Sequence, residues 1–409
     1  MRPRTLLSIV GVVLLCWTVP AQAGENWIEI EADGSFDDNG VLRTPSCSGG
    51  PELVDTPFGP LPVAADTQYS FFVRHGDPRK LAILFDGGGT CFDANTCVGT
   101  ALAGGPIYSQ KVDETVESLA FIGGVGDNNN PDNPIADYTQ VFIPYCTGDL
   151  HTGANDKTYL LPFDGSVIPW EIHHRGADNV AFVLRWLDEY YGDLGVVPRK
   201  VFLTGLSAGG YGVVYHTPAI ADRLPWRTRL RVLADAASGV ITENFYSLAL
   251  SENGAWSALD NLHPVLAGAF SAGPDQIIIE IYKALGSTYP RARFGQYTTA
   301  LDTTQIAFFN IDKNINDPSK WADPAELALA GFEWSLRART YQILTALQVW
   351  NYRFYLGAGA DHTVLASDKF FTEDSARRSL VDWLDDMINR RWSFGGDWRN
   401  STCAPNCVE

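Results

Sequence analysis

Short runs of β-branched and aromatic residues recur along the chain, and most of them end in glycine or polar residues. Runs of this length and composition are typical of buried strands. The predicted strands cover residues 81–85, 140–144, 200–204, 229–233, 305–310 and 352–356. Because the carboxyl ends of parallel strands share one edge of a sheet, the polar residues that follow these runs are expected to meet there.

Between these runs, apolar residues recur at helical spacing. One stripe comprises Val180, Val183, Leu184 and Leu187, and another comprises Leu380, Trp383, Leu384, Met387 and Ile388. Alternating strands and helices predict an α/β fold, with a mostly parallel sheet flanked by helices. We expect residues 24–409 to form a single domain of the α/β-hydrolase type, in which 238–297 and 315–341 are long insertions.

The amino terminus has the pattern of a secretory signal. Arg2 and Arg4 precede an apolar run over residues 6–19, and small residues at 21 and 23 provide a cleavage site after Ala23. The run is shorter than the about 20 residues that a bilayer span needs, which disfavours a membrane anchor. We therefore predict a signal peptide over 1–23, a secreted or periplasmic protein, and no stable membrane insertion.

The net charge of −18 excludes some partners. It would repel nucleic acid and anionic membrane surfaces, and it gives no long-range attraction to a polyanionic substrate. Removal of the signal takes away two arginines and makes the chain more acidic still.

Cysteine usage indicates disulfides and no metal site. Cys16 lies in the predicted signal, which leaves an even set, typical of an exported protein: Cys47, Cys91, Cys97, Cys146, Cys403 and Cys407. Cys91 and Cys97 are close enough in sequence to close one loop. The spacings lack paired CxxC elements and a histidine cluster, so we expect no metal.

Residues 205–209, Gly-Leu-Ser-Ala-Gly, fit the pattern G-x-S-x-G. A predicted strand precedes the pattern and a helix-compatible stretch follows it. This is the context of a nucleophile elbow, in which a strained turn holds the serine hydroxyl clear of the sheet. We predict Ser207 as a nucleophile; an ordinary serine in a glycine-rich turn is the alternative.

A serine nucleophile needs a base, which follows the serine in this chain order. His216 lies on the helix after the serine, and His263 has no strand directly before it. His362 follows the last predicted strand in a glycine-rich loop, so we predict it as the base.

The base needs an orienting acid. We predict Asp312, because it follows the predicted strand 305–310. Asp235, which follows the strand after the elbow, is its rival. Asp317 and Asp302 are weaker alternatives.

Charge that develops on the substrate oxygen needs preorganised N–H donors. One donor is the residue after the nucleophile, Ala208. The glycine triplet Gly87, Gly88 and Gly89 follows an early predicted strand and is the natural second source, because glycine lets the backbone approach the substrate. No G-x-G-x-x-G pattern follows, which disfavours a dinucleotide site.

These segments resemble the pectin acetylesterase and Notum carboxylesterase family. The resemblance runs from Phe85 to His362, and its motifs are Phe-Asp-Gly-Gly-Gly-Thr-Cys at 85–91, Tyr-Cys-Thr-Gly-Asp at 145–149, Arg-Gly at 175–176 and Gly-Leu-Ser-Ala-Gly-Gly at 205–210.

The resemblance implies a catalytic triad of Ser207, Asp312 and His362. It implies an oxyanion hole formed by the amides of Gly88, Gly89 and Ala208. It also implies two further disulfides, Cys47 with Cys146 and Cys403 with Cys407.

We therefore expect a serine esterase that works through an acyl-enzyme and needs no cofactor. By resemblance, its expected substrate is an O-acetylated extracellular polysaccharide; lipid, aryl or polyester esters are the alternative. A serine peptidase and a catalytically inactive binding protein on the same fold are the other hypotheses.

Overall fold

The computed structural model describes residues 27–57, 59–99, 107–112, 123–389 and 398–407. The predicted signal peptide, 1–23, lies outside the described residues. Within the described part of the chain, no helix combines the length and apolar composition needed to cross a membrane.

A nine-stranded sheet forms the centre of the molecule. The first two strands in the order pair antiparallel with their neighbours, and from Tyr138–Ile143 onward all pairs are parallel. The spatial order is Ile28–Glu31, Ser70–Arg74, Tyr138–Ile143, Asp77–Phe85, Lys200–Leu206, Arg229–Asp235, Arg293–Thr299, Tyr352–Gly357 and Ser401–Thr402.

Three two-stranded hairpins and several helices surround this sheet. The hairpins pair Phe36–Asp38 with Val41–Arg43, Pro51–Thr56 with Gly59–Ala64, and Asn155–Phe163 with Ser166–His174. The longer helices are Gly176–Leu194, Ala208–Ala221, Ile277–Thr288, Thr303–Lys313, Pro324–Gln348 and Leu380–Ile388. The short helical turns are Asn95–Gly99, Gly124–Gly126, Glu243–Phe245, Tyr246–Leu250, Ala258–Asn261, Pro264–Leu266, Ala267–Phe270, Pro318–Lys320 and Lys369–Thr372.

Apolar side chains fill both faces of the sheet. In the strand Lys200–Leu206, Val201 and Leu203 join one buried cluster, while Phe202 joins the other. This alternation follows from the two-residue period of a strand. The stripe of the helix Gly176–Leu194 packs into the first cluster, and that of Leu380–Ile388 packs into the second, so both predicted stripes are confirmed as core faces.

The α/β architecture and five of the predicted strands are confirmed, but one strand is wrong. Residues 305–310 lie in the helix Thr303–Lys313, and the strand that occupies this place in the sheet is Arg293–Thr299, within a segment predicted as an insertion. A short apolar run is compatible with either a buried strand or a buried helix, because periodicity alone does not separate the two.

Disulfides join the three cysteine pairs Cys47–Cys146, Cys91–Cys97 and Cys403–Cys407. This is the pairing that the resemblance implies. The bridge Cys91–Cys97 closes the segment that directly follows the glycine triplet, and Cys47–Cys146 ties the amino-terminal region to the end of the strand Tyr138–Ile143.

Candidate active site

Ser207 lies on a sharp turn between the strand Lys200–Leu206 and the helix Ala208–Ala221. Its backbone has φ 52° and ψ −118°, which is a strained conformation for a residue with a side chain. The turn leaves no room for side chains around it. A Cβ on Gly205 would lie 2.1 Å from the carbonyl oxygen of Gly209, and one on Gly209 would lie 2.2 Å from that of Phe85. The glycine spacing therefore permits the elbow.

The glycine triplet lies against this turn, because the strand before it pairs in parallel with the serine strand. A Cβ on Gly87 would lie 2.9 Å from the Cβ of Ser207. Gly89 has φ +77°, and a Cβ there would lie 1.9 Å from the carbonyl oxygen of Ile107. Gly88 has φ +156°, and its carbonyl accepts a hydrogen bond from the amide of Ser109. A side chain at any of these three positions would clash with its neighbours, so the backbone of this loop requires glycine.

His362 follows the strand Tyr352–Gly357, and its ring is bonded to a buried carboxylate. Nδ1 of His362 lies 2.9 Å from both carboxylate oxygens of Asp302, a residue with no exposed side-chain surface. Asp302 also caps the helix Thr303–Lys313 by accepting the amide of Gln305 at 2.9 Å. The side-chain amide of Gln305 donates a second hydrogen bond to the same carboxylate. Together the two bonds hold the Asp302 carboxylate in place against the imidazole.

Asp312, predicted as the orienting acid, does not make this contact. It lies ten residues further along the same helix, where its Oδ2 accepts the amide of Thr242 at 3.1 Å. The structure places Asp302, and not Asp312, against His362, because the true strand is Arg293–Thr299 and Asp302 is the first acidic residue after it. The aromatic and threonine content of 293–299 is the sequence signal that would have located this strand.

Asp235, the rival acid, also has another partner. It ends the strand Arg229–Asp235, and its Oδ2 accepts the amides of Val364 and Leu365, each at 2.8 Å. Burial raises the pKa of its carboxyl to about 7. The weaker alternative Asp317 precedes the short helical turn Pro318–Lys320 and bonds Ser319.

Two other buried histidines bond backbone carbonyl oxygens near the site. Nε2 of His151 lies 2.9 Å from the carbonyl oxygen of Asp86, and Nε2 of His216 lies 2.7 Å from that of His151. Burial lowers the pKa of His151 to about 3 and that of His216 to about 4, which keeps both rings neutral. These rings support the turn beneath the glycine triplet.

Among the described residues, Cys91, Cys97 and His174 have the spacing of a metal site. The two sulfurs form a disulfide, however, and so are not thiolate ligands. The ring nitrogens of His174 face the carbonyl of Thr147 and the hydroxyl of Tyr159, each at 3.0 Å. This donor set does not fit a metal ion.

A cavity opens at Ser207 and is bordered by His362, Gly89 and Ala208. Most of its remaining wall is apolar and is formed by Phe92, Leu150, Val240, Ile241, Phe245, Phe308, Phe309 and Trp334. Asp312 is a polar exception in that wall, and burial raises its pKa to about 7.

A second cavity adjoins the first. The two share Leu150, Tyr211, Ile241 and Phe245, and the second is lined almost wholly by aliphatic and aromatic side chains. The space beside Ser207 therefore suits an apolar group that is considerably larger than a methyl.

Parts of this chain are similar in sequence to known proteins. The family model described as pectinacetylesterase matches residues 68–245. The palmitoleoyl-protein carboxylesterase NOTUM of Schmidtea mediterranea is 30% identical over 164 residues, which cover 38% of this chain and 27% of that protein. The protein of the same name from Drosophila melanogaster is 28% identical over 172 residues, which cover 41% of this chain and 24% of that protein. The matches thus span about a quarter of the length of these relatives.

Among solved structures, the Wnt deacylase Notum from Drosophila superposes with a TM-score of 0.51 at 20% identity, covering 77% of this chain and 85% of that one. At this identity the likeness concerns the fold alone, which is of the α/β-hydrolase type.

Proposed function

Residues 68–245 form a pectinacetylesterase domain, and from that premise we propose that this protein is a serine carboxylesterase with Ser207 as nucleophile and His362 as base. The observation that carries the proposal is the bond between Nδ1 of His362 and the buried Asp302, with His362 and Ser207 on the wall of the same cavity. This is the arrangement by which an imidazole is oriented to take a proton from a serine hydroxyl.

Acylation begins when Oγ of Ser207 attacks the ester carbonyl carbon and its proton passes to Nε2 of His362. The imidazolium that forms is stabilised by Asp302, whose carboxylate accepts from Nδ1. Backbone amides of Gly88, Gly89 and Ala208 donate to the oxyanion, and the start of the helix Ala208–Ala221 favours negative charge there. The imidazolium then protonates the departing alkoxide, and the alcohol leaves.

Deacylation repeats these steps with water. His362 removes a proton from the water molecule as its oxygen attacks the acyl carbon, and then returns a proton to Oγ of Ser207. The products are a carboxylic acid and the free serine.

The wall of the cavity favours an apolar acyl group. An acetyl group would cover little of the apolar lining, whereas an alkyl chain would bury apolar surface at about 25 cal/mol per Å². The two relatives are named for removal of a palmitoleoyl group, which agrees with this preference. We propose esters of medium or long apolar acyl chains as the substrate class.

The second candidate is O-deacetylation of an extracellular polysaccharide, favoured by the family match over 68–245. In either case the three disulfides support an oxidising location outside the cytoplasm.

The test is a panel of p-nitrophenyl esters from acetate to palmitate, together with acetylated polysaccharides, for wild type and Ser207→Ala. We expect kcat/KM to rise with chain length and to be lost in Ser207→Ala. A fluorophosphonate should label wild type but not the variant. Ser287→Ala is the matched control, since this exposed serine bonds only within its own helix.

Three results would change the proposal. Equal turnover by Ser207→Ala and wild type would remove the nucleophile. Hydrolysis of acetyl esters alone would establish the deacetylation candidate instead. Absence of both hydrolysis and labelling in wild type would favour the inactive binding protein.

A further inference from the structure

Asp235 contacts both halves of the candidate active site. Its backbone carbonyl accepts the amide of Ser207 at 2.8 Å, at the elbow itself. Its side chain is fully buried and accepts the amides of Val364 and Leu365, the second and third residues after His362. One residue at the end of one strand therefore touches the turn that carries the nucleophile and the loop that carries the base.

The loop after His362 needs such an anchor. Thr363 has φ +60°, a left-handed conformation that a β-branched residue rarely adopts. The two hydrogen bonds to Asp235 follow directly after this residue, and the carbonyl of Leu365 accepts the amide of Val125. These bonds hold the backbone in a conformation that Thr363 by itself disfavours.

We propose that Asp235 is a positioning residue that sets the place of the His362 backbone relative to Ser207, while Asp302 sets the orientation of the ring. The inference rests on the proposed function, because Asp235 acts through His362. The two buried carboxylates have different partners. Asp302 bonds the imidazole, and Asp235 bonds main-chain amides.

The role requires a hydrogen-bond acceptor and not a charge. Oδ2 makes both bonds, whereas Oδ1 is buried without a hydrogen-bond partner. Asparagine would keep an acceptor at the position of Oδ2 and has nearly the same shape. Alanine would remove the acceptor and leave two buried amides unpaired.

The experiment compares Asp235→Asn and Asp235→Ala with wild type, using kcat and KM on the best ester and the rate of fluorophosphonate labelling. Asn351→Ala is the matched control, because Asn351 is also fully buried and bonds main-chain groups, but at the opposite end of the neighbouring sheet strands.

For Asp235→Ala we expect kcat to fall on the order of 100-fold, the size of effect produced when a catalytic group is displaced by about 1 Å. KM should change little, and labelling should slow in proportion. Asp235→Asn should restore kcat to within about tenfold of wild type, as expected when the positioning contact is kept. Asn351→Ala should lose thermal stability but keep kcat.

Hydrogen exchange at the amides of Val364 and Leu365 gives a readout that does not depend on activity. Asp235→Ala should lose protection at these amides, and Asp235→Asn should keep it. Unchanged protection in Asp235→Ala would overturn the inference, as would wild-type kcat or a loss that asparagine does not restore. If wild type neither hydrolyses esters nor is labelled, the proposed function fails, while the exchange result still decides whether Asp235 anchors the loop.

Discussion

Nδ1 of His362 lies 2.9 Å from each carboxylate oxygen of Asp302, sixty residues earlier in the chain, and Asp302 has no exposed side-chain surface. A carboxylate held in this way selects the tautomer in which Nδ1 carries the proton, so that Nε2 is free to act as a base. Under the proposed function, Asp302 is therefore the acidic residue near the cavity that takes part in the chemistry.

Asp302→Asn should lose far more activity than Asp312→Asn. Asparagine at 302 would place the imidazole in the wrong tautomer, for which losses of about 10⁴ in kcat are known in triads. Asparagine at 312 should leave kcat within a few-fold of wild type, because the side chain of Asp312 accepts the amide of Thr242 and does not contact the imidazole. Steady-state kinetics on one p-nitrophenyl ester checks this, and the reverse order would return the role to Asp312.

Gly89→Ala should disable the oxyanion loop. A Cβ at this position would lie 1.9 Å from the carbonyl of Ile107, in a backbone with φ +77°. The amides would shift away from the developing charge, and the loss of one such donor costs about 10²–10³ in kcat. Gly268→Ala is the control, since a Cβ there meets nothing within 4 Å. Similar kcat values for both variants would exclude this loop from oxyanion binding.

Ile241→Trp should shorten the preferred acyl chain. Ile241 lines both cavities, and the larger side chain would fill the junction between them. We expect the ratio of kcat/KM for octanoate to that for acetate to fall by at least about tenfold, the scale set by hydrophobic pocket contacts. Val167→Trp, at an exposed hairpin position, should leave the ratio unchanged. An unchanged ratio in Ile241→Trp would place the acyl chain elsewhere.

The contribution of Asp312 to folding stability should become less favourable as the pH rises from about 4 to about 7. Burial raises the pKa of Asp312 to about 7, so the folded state binds its proton more tightly than the unfolded state over that interval. Asp312→Asn should reduce this slope and stabilise the protein at pH 8, by up to about 4 kcal/mol at 1.36 kcal/mol per unit. Urea unfolding of wild type and variant at pH 5 and pH 8 measures both effects, and parallel slopes would contradict them.

Local features were predictable from the sequence because their causes are local. Gly205 is required by a clash with the carbonyl oxygen of Gly209 inside the same turn, so the pattern itself indicates the elbow. His362 follows a run whose strand character is unambiguous. The alternation of strands with helices likewise follows from residue type and order, whereas the full cysteine pairing was implied by the family resemblance.

The acid and the shape of the cavity were decided only by the tertiary structure. Residues 305–310 are apolar enough for a buried strand, yet they form a helix because Arg293–Thr299 occupies the sheet position between Arg229–Asp235 and Tyr352–Gly357. That pairing brings Asp302 to His362 and moves Asp312 to the cavity wall. Which side chains share a site depends on the order of strands in the sheet, and strand order is set by packing between segments distant in the chain.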